Sequence, residues 1–140
     1  MKTLIVDDDF TSRLLLQEIL KIYGPTYIAV NGKEAVAAVR TALEAAAPYD
    51  LVCLDIMMPG MNGHQALSEI RTLEAANGGI SHRAKVVMTT ALGDRANVEE
   101  AIQEHCDYFL VKPIEKATLL QEFQKLALID SSGHADTGSR

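Results

Sequence analysis

Five short apolar runs, separated by longer amphipathic segments, constrain the fold of this chain more than any other feature of its sequence. Each run leads into acidic, hydroxyl-bearing or turn-forming residues, and short apolar runs with such ends are typical of buried strands. The predicted strands are Thr3–Val6, Tyr27–Val30, Leu51–Asp55, Lys85–Thr89 and Tyr108–Val111. Because these runs are apolar throughout rather than alternating, we expect strands that are covered on both faces.

The segments that follow the runs carry apolar residues at helical spacing. Gly24-Pro25 ends the first helix (Thr11–Tyr23), Asn31 and Asp94 are suited to cap the second and fourth, and the last spans about Glu115–Ile129. The apolar stripes are Leu14, Leu15, Ile19 and Leu20; Ala35, Val36, Val39 and Leu43; Ala66, Leu67, Ile70 and Leu73; Val98, Ala101 and Ile102; and Leu119, Leu120, Phe123 and Leu126.

Strands that alternate with helices require right-handed crossovers and a parallel sheet between two helical layers. The predicted fold class is therefore α/β: a three-layer, doubly wound, flavodoxin-like (βα)5 domain whose parallel five-stranded sheet has the order 2-1-3-4-5. We assign this domain to residues 1–130 and expect residues 131–140, which lack an apolar anchor, to form a disordered tail.

Composition narrows the classes of protein and partner. A chain of 140 residues with 48% hydrophobic content suits one globular domain, and a net charge of −6 argues against direct binding of nucleic acid. No apolar run reaches the roughly 18 residues of a membrane span, so no membrane insertion is expected. Met1-Lys2 leads directly into a strand without a signal peptide, and Cys53 and Cys106 suggest reduced thiols, so a cytoplasmic location is the default.

Acidic residues follow two strands that should be neighbours in this sheet. Asp7 and Asp8 follow the first strand and Asp55 ends the third, so the three carboxylates should lie side by side, while Asp9 is suited to cap the first helix. Clustered carboxylates raise one another's pKa values, and a divalent cation removes that conflict. A few oxygen donors favour Mg²⁺, and the absence of a Cys/His spacing pattern argues against zinc.

Two further strand ends point at the same edge. The fourth strand leads into Thr90 and the fifth into Lys112-Pro113. A hydroxyl and an ammonium beside a metal-bound carboxylate are the groups that neutralise and orient a transferred phosphoryl group. This combination predicts a site for phosphoryl transfer.

Over about Lys2–Ile129, the chain resembles the receiver domain of two-component response regulators, closest in layout to single-domain, chemotaxis-type receivers. The motifs that carry the resemblance are Val6-Asp7-Asp8, Asp55-Ile-Met-Met-Pro-Gly-Met-Asn-Gly63, Thr90-Ala91 and Lys112-Pro113. The resemblance implies that Asp55 is the phosphoacceptor. It further implies that Mg²⁺ is bound directly by Asp8, mostly through water by Asp7, and by the main-chain carbonyl of Met57.

The resemblance also implies the parts of a switch. Thr90 and Lys112 would bind the phosphoryl group, the Lys112–Pro113 bond would be cis, and Phe109 would be the switch aromatic. The phosphoryl group would come from a sensor histidine kinase, a phosphotransfer protein or a small phosphodonor. Phosphorylation would pull in Thr90 with the Ala91–Asp94 loop and remodel the face formed by the fourth helix, fifth strand and fifth helix, which a downstream effector would read.

The chain departs from the family pattern at several positions. Phe109 lacks the hydroxyl of the tyrosine common there, and Ile114 replaces the usual phenylalanine. Met57 and Leu92 are apolar at the two positions that tune self-dephosphorylation, so we expect a slow reset.

Two other functions remain open at this stage. A Mg²⁺-dependent phosphohydrolase with Asp55 as nucleophile is disfavoured, because Met57 stands where a second catalytic acid would be and no room remains for a cap domain. A phosphate-independent interaction scaffold predicts the loss of an acid, the threonine or the lysine, yet all are present. The leading hypothesis is a phosphorylation-dependent switch, not an enzyme, without an output domain of its own.

Overall fold

The fold is built on a five-stranded parallel sheet. The computed structural model describes residues 1–78, 83–90 and 106–126. The strands are β1 (Thr3–Val6), β2 (Thr26–Ala29), β3 (Leu51–Asp55), β4 (Lys85–Thr90) and β5 (Tyr108–Val111). They lie in the order β2-β1-β3-β4-β5, and every neighbouring pair is parallel. The predicted fold class and strand order are confirmed.

Four α-helices are described along the chain. They are α1 (Phe10–Leu20), α2 (Gly32–Glu44), α3 (Gly63–Ala76) and the C-terminal helix (Lys116–Lys125). Predicted caps at the first two are confirmed, since the side chain of Asp9 accepts from Ser12 N and that of Asn31 accepts from Glu34 N. The helix predicted after Asp94, the Ala91–Asp94 loop, Leu92 and the predicted tail lie outside the described residues.

Side chains from the two faces of the sheet form two separate cores. Leu4 and Val6 of β1 belong to the core that α2 and α3 cover. Ile5, between them, points to the opposite core, which α1 and the C-terminal helix cover. Successive side chains of a strand point to opposite faces, so this division is the one that a sheet between two helical layers requires.

The predicted stripe of α1 is partly wrong. Leu14 and Leu15 are 46% and 44% exposed, and the residues that bury this helix are Leu16, Ile19 and Leu20. The helix contacts β1 and β2, and Leu14 and Leu15 do not belong to the core that this contact forms. Only a narrow face therefore reaches the core.

Several predicted boundaries also shift. The strand predicted at Tyr27–Val30 begins one residue earlier, because Thr26 pairs with Thr3 at the start of β1. The first helix ends at Leu20 rather than Tyr23, since its last turn tightens into a 3₁₀ helix at Lys21–Tyr23. In the described part of the chain, none of the helices has the length and apolar character needed to cross a bilayer.

Candidate functional site

The predicted acidic residues converge at the C-terminal ends of β1 and β3. Val6 pairs with Leu54, so the residues that follow, Asp7 and Asp55, come to lie on neighbouring strand ends. One carboxylate oxygen from each of Asp7, Asp8 and Asp55 lies within 4.8 Å of the others. Asp7 and Asp55 are buried, while Asp8 is exposed. The cluster therefore consists of two buried carboxylates and a third that is open to solvent.

Asp7 is held by hydrogen bonds on both of its carboxylate oxygens. Its Oδ1 accepts from Asp9 N at 2.9 Å, and its Oδ2 accepts from Lys112 Nζ at 3.0 Å. Within the described residues, no group donates a hydrogen bond to the Asp8 carboxylate. Asp8 therefore keeps more free acceptor positions for a cation than Asp7 does.

Asp55 is buried at the centre of the cluster, with 5% of its surface exposed. Its Oδ2 lies 3.5 Å from Lys112 Nζ, and its Oδ1 accepts from Met57 N at 3.3 Å. Burial, together with the negative charge of Asp7, raises the pKa of Asp55 to about 6, although Lys112 and the Met57 amide act in the opposite direction. In the protein alone, Lys112 therefore does not fully offset the negative charge of the Asp55 carboxylate.

Lys112 is the cation that faces this cluster. Burial lowers the pKa of Lys112, but its hydrogen bond to Asp7 and the charge of Asp55 outweigh that effect and raise the pKa above its usual value. The side chain thus remains an ammonium ion at neutral pH. The peptide bond that links Lys112 to Pro113 is cis, as the resemblance implied.

Thr90 ends β4 beside Lys112. Its main-chain carbonyl accepts from Lys112 N at 2.8 Å, because Thr90 pairs with Val111 in the sheet. The residue is 1% exposed, and its Oγ1 has no hydrogen-bond partner among the described residues. A buried hydroxyl without a partner is costly, so this atom fits a site that another ligand completes.

The loop between β3 and α3 folds back tightly against the end of β3. Ile56 N donates to Thr89 O at 3.0 Å, and Gly63 N donates to Ile56 O at 2.9 Å. A Cβ atom on Gly63 would lie 2.5 Å from the Asp55 carbonyl oxygen, so glycine is required for this approach. The side chain of Met57 points outward and is 57% exposed, and the role of its carbonyl remains a prediction.

Phe109 lies within β5, on the face opposite to its neighbour Tyr108. It is half-buried and packs against the core of α2 and α3, and its ring stacks on that of Tyr108 with centroids 5.7 Å apart. Ile114 is also half-buried and packs against the other core. The structure therefore accommodates both departures from the family pattern as apolar packing.

The sequence reasoning missed Arg13. Its Nη1 donates to the main-chain carbonyl of Asp7 at 2.9 Å. From α1 it thus contacts Asp7–Asp9, which we call the acidic loop. A signal existed: a positive charge near the N-terminus of a helix opposes the helix dipole and needs another reason to be there.

The donor set fits a magnesium ion. The candidate side-chain ligands are carboxylate oxygens, and one of them, on Asp8, faces solvent. Hard oxygen donors in small number, with room for water, are what Mg²⁺ prefers.

Comparison with known proteins agrees with this geometry. The response regulator receiver domain family matches residues 3–124. The chain is 33% identical to the chemotaxis protein CheY of Bacillus subtilis over 129 residues, which cover 89% of this chain and 95% of that protein.

Solved structures show the same likeness. The receiver domain of the histidine kinase CKI1 from Arabidopsis thaliana, complexed with Mg²⁺ and BeF₃⁻, is 30% identical with a TM-score of 0.73, and 89% of each chain is covered. CheY4 of Vibrio cholerae is 26% identical with a TM-score of 0.72, over 89% of this chain and 96% of that one. The chain therefore belongs to the response regulator receiver domain family and is a phosphorylation-dependent switch of CheY type.

Proposed function

We propose that this protein accepts a phosphoryl group on Asp55, in a Mg²⁺-dependent reaction, from a sensor histidine kinase or a phosphotransfer protein. One observation carries the proposal: three carboxylates, the ammonium of Lys112 and the unpartnered hydroxyl of Thr90 meet at one edge of the sheet. The alternatives explain less of this arrangement. A scaffold has no use for three carboxylates and an ammonium gathered at one edge of the sheet. A hydrolase would need a second acid where Met57 stands.

The acidic residues would hold the metal. Asp8 and Asp55 would bind it directly, Asp7 mostly through water, and the Met57 carbonyl would complete the protein ligands. When bound, Mg²⁺ supplies the positive charge that this cluster of carboxylates lacks and offsets charge on the phosphoryl oxygens. The solvent-facing side of the cluster, at Asp8, leaves room for the donor to approach.

Asp55 acts as the nucleophile in its ionised form. A carboxylate oxygen forms the new bond to phosphorus while the bond from phosphorus to the donor nitrogen breaks, and the donor imidazole leaves with that electron pair. Lys112 already lies 3.5 Å from Asp55 Oδ2, so its ammonium can follow the negative charge onto a phosphoryl oxygen. Thr90 Oγ1 can donate to another phosphoryl oxygen, which gives this hydroxyl its missing partner.

The new hydrogen bond to Thr90 links the site to the far side of β5. Met88 of β4 pairs with Phe109, two residues before the Thr90–Val111 pair. An inward movement of Thr90 would open space beside β4, and Phe109 could turn into it. The surface of β5, where Val111 is exposed, and of the adjacent helices would then change shape, and the downstream effector would read that change.

Water would hydrolyse the aspartyl phosphate and reset the switch. The exposed Met57 side chain cannot orient a water molecule, so we expect a long-lived phosphoryl adduct. The cytoplasmic location stays a prediction that accompanies this function.

The experiment is incubation with Mg²⁺ and acetyl phosphate, followed by intact-mass measurement of wild type and Asp55→Asn. We expect one phosphoryl adduct in wild type and none in the variant. Acetyl phosphate turnover without an adduct would indicate the hydrolase, and an inert protein would indicate the scaffold.

A matched pair of variants tests the metal ligands. Asp8→Asn should abolish Mg²⁺ binding, whereas Asp9→Asn should leave it intact, because asparagine also caps helices well. Normal Mg²⁺ affinity in Asp8→Asn would refute the assignment of Asp8 as a direct ligand.

A further inference from the structure

We propose that Arg13 is a positioning residue for the metal-binding acids: its guanidinium holds the Asp7–Asp8 peptide group in the orientation that presents the Asp8 carboxylate to Mg²⁺. The inference rests on the proposed function and deepens it. It concerns how the acidic loop is held before any metal arrives.

The contact runs from α1 back to the end of β1. Arg13 Nη1 donates to the Asp7 main-chain oxygen at 2.9 Å, in a half-buried position. The backbone N–H of Arg13 donates to Asp9 O at 3.1 Å, at the start of the α-helical hydrogen-bond ladder of α1. The side chain therefore spans the whole acidic loop, from its first residue to the first turn of the helix.

Asp7 is fixed at every polar atom that it offers. Its N–H donates to Ala29 O at 3.2 Å, its Oδ1 accepts from Asp9 N, and its Oδ2 accepts from Lys112 Nζ. Arg13 takes the remaining group, the carbonyl. Removing the guanidinium frees the one group of Asp7 through which the next residue is oriented.

That carbonyl controls the position of Asp8. The Asp7 C=O and the Asp8 N–H belong to one rigid peptide plane, so fixing the oxygen fixes the direction in which the chain enters Asp8. The Asp8 carboxylate is exposed, and in the described part of the chain nothing donates a hydrogen bond to it. Its position before metal binding thus depends on its backbone alone.

Phe10 holds Arg13 from the outer side. The guanidinium carbon lies 5.7 Å from the centre of the Phe10 ring, within the range of a cation–π contact. Phe10 is itself exposed, so its ring contributes to restraining the arginine rather than to the core. This contact explains why a cation is tolerated so near the N-terminus of α1.

The test measures Mg²⁺ affinity by NMR titration of the ¹⁵N-labelled full chain with MgCl₂. Arg13→Met keeps the aliphatic stem but removes the donor, and we expect a Kd about tenfold higher, as for other groups that orient metal ligands. Arg40→Met is the matched control, because Arg40 is an exposed arginine of α2. We expect it to bind Mg²⁺ as wild type does.

Two readouts separate positioning from general stability. In the metal-free protein, Arg13→Met should shift the Asp8 amide resonance more than resonances elsewhere in the sheet. In the acetyl phosphate reaction, adduct formation should be slow at low Mg²⁺ and recover at saturating Mg²⁺. Arg13→Lys, which retains one donor, should restore part of the affinity.

Equal Mg²⁺ affinity in wild type and Arg13→Met would overturn the inference, and so would Arg13→Lys binding as weakly as Arg13→Met. If Arg13→Met does not fold, Arg13→Leu, which also lacks a donor, replaces it in the same comparison. If wild type binds Mg²⁺ and Arg13→Met weakens that binding, but Asp55 takes no phosphoryl group, the proposed function fails and the inference stands. If wild type binds no Mg²⁺, both are wrong.

Discussion

At each end of the sheet a basic side chain lies among carboxylates, but the two clusters differ in how completely their carboxylates are paired. At the N-terminal ends of β4 and β5, Arg71 Nη1 donates to Glu74 Oε1 at 2.7 Å and Nη2 donates to Asp107 Oδ2 at 3.2 Å. Backbone amides add to this: Ala84 N donates to Glu74 and Val86 N donates to Asp107. The network ties α3 to the starts of two strands.

At the C-terminal ends, Lys112 faces Asp7 and Asp55, and Asp8 adds a third negative charge. A guanidinium fork serves two carboxylates in fixed geometry, whereas an ammonium is a compact charge that can move to a new partner. Burial raises the pKa of Asp55 to about 6, and the hydroxyl of Thr90 lacks a partner among the described residues. We call the first the complete cluster, because each of its two carboxylates has a guanidinium partner in the folded protein. We call the second the incomplete cluster, because it is arranged for ligands that bind later.

The largest expected effect is on the complete cluster. Arg71→Met leaves the buried Glu74 and the half-buried Asp107 without their cation, and we expect the free energy of unfolding to fall by about 3 kcal/mol. Lys112→Met should lower the free energy of unfolding by a smaller amount, because Asp55 can take up a proton. Binding of Mg²⁺ should restore the stability lost in this variant. Urea unfolding with and without MgCl₂ measures both.

Arg40→Met serves as the control for Arg71→Met, since an exposed arginine should change stability by less than about 0.5 kcal/mol. Two results would remove the contrast between the clusters: a loss in Arg71→Met no larger than that of the control, or a rescue of Arg71→Met by Mg²⁺.

The next effect concerns the excess negative charge at Asp55. The pKa of this carboxyl is about 6 in the folded protein, above its ordinary value of 3.8, so the folded state binds more protons between these values. Stability of the metal-free protein should therefore fall as pH rises through that window. Asp55→Asn removes this dependence, and above the folded pKa it should be about 2 kcal/mol more stable than wild type, allowing for solvent screening.

The measurement is the difference in unfolding free energy between wild type and Asp55→Asn in EDTA, from pH 4 to pH 8. The difference should grow with pH and shrink when Mg²⁺ replaces EDTA. A constant difference across the range would mean that the charge at Asp55 is already matched in the folded protein.

The incomplete cluster could be predicted from the sequence, and the complete one could not. Parallel strands bring their C-terminal ends to one edge, so the site residues at the ends of four strands could be assembled once the strand order was inferred. Arg71 and Glu74 stand three residues apart on α3, as many surface pairs do. Their third partner, Asp107, is 36 residues from Arg71, and no periodic pattern links the two positions.

The errors in α1 have a related cause. Periodicity shows that a helix has an apolar side but not how wide its contact with the sheet will be. The contact of α1 with β1 and β2 leaves Leu14 and Leu15 exposed. Arg13 stood out as a cation near the N-terminus of a helix, but its partner is a main-chain carbonyl, which residue types do not reveal. Local patterns predicted the elements and the site, but not the individual contacts that hold the site.

The smallest expected effect compares two buried threonines at opposite ends of the sheet. Thr3 begins β1 and Thr90 ends β4; each is 1% exposed, and neither Oγ1 has a hydrogen-bond partner among the described residues. Thr3→Val and Thr90→Val remove hydroxyls that make no bond, so each should change the free energy of unfolding by less than about 1 kcal/mol and can stabilise the fold.

Only Thr90→Val should slow formation of the Asp55 adduct, by at least about tenfold, because only that hydroxyl faces the incoming phosphoryl group. Intact-mass time courses with acetyl phosphate, alongside urea unfolding of the same samples, make the comparison. If both variants were phosphorylated at the wild-type rate, the unpartnered hydroxyl of Thr90 would be a packing feature like that of Thr3. The distinction between the complete and the incomplete cluster would then have to rest on the carboxylates alone.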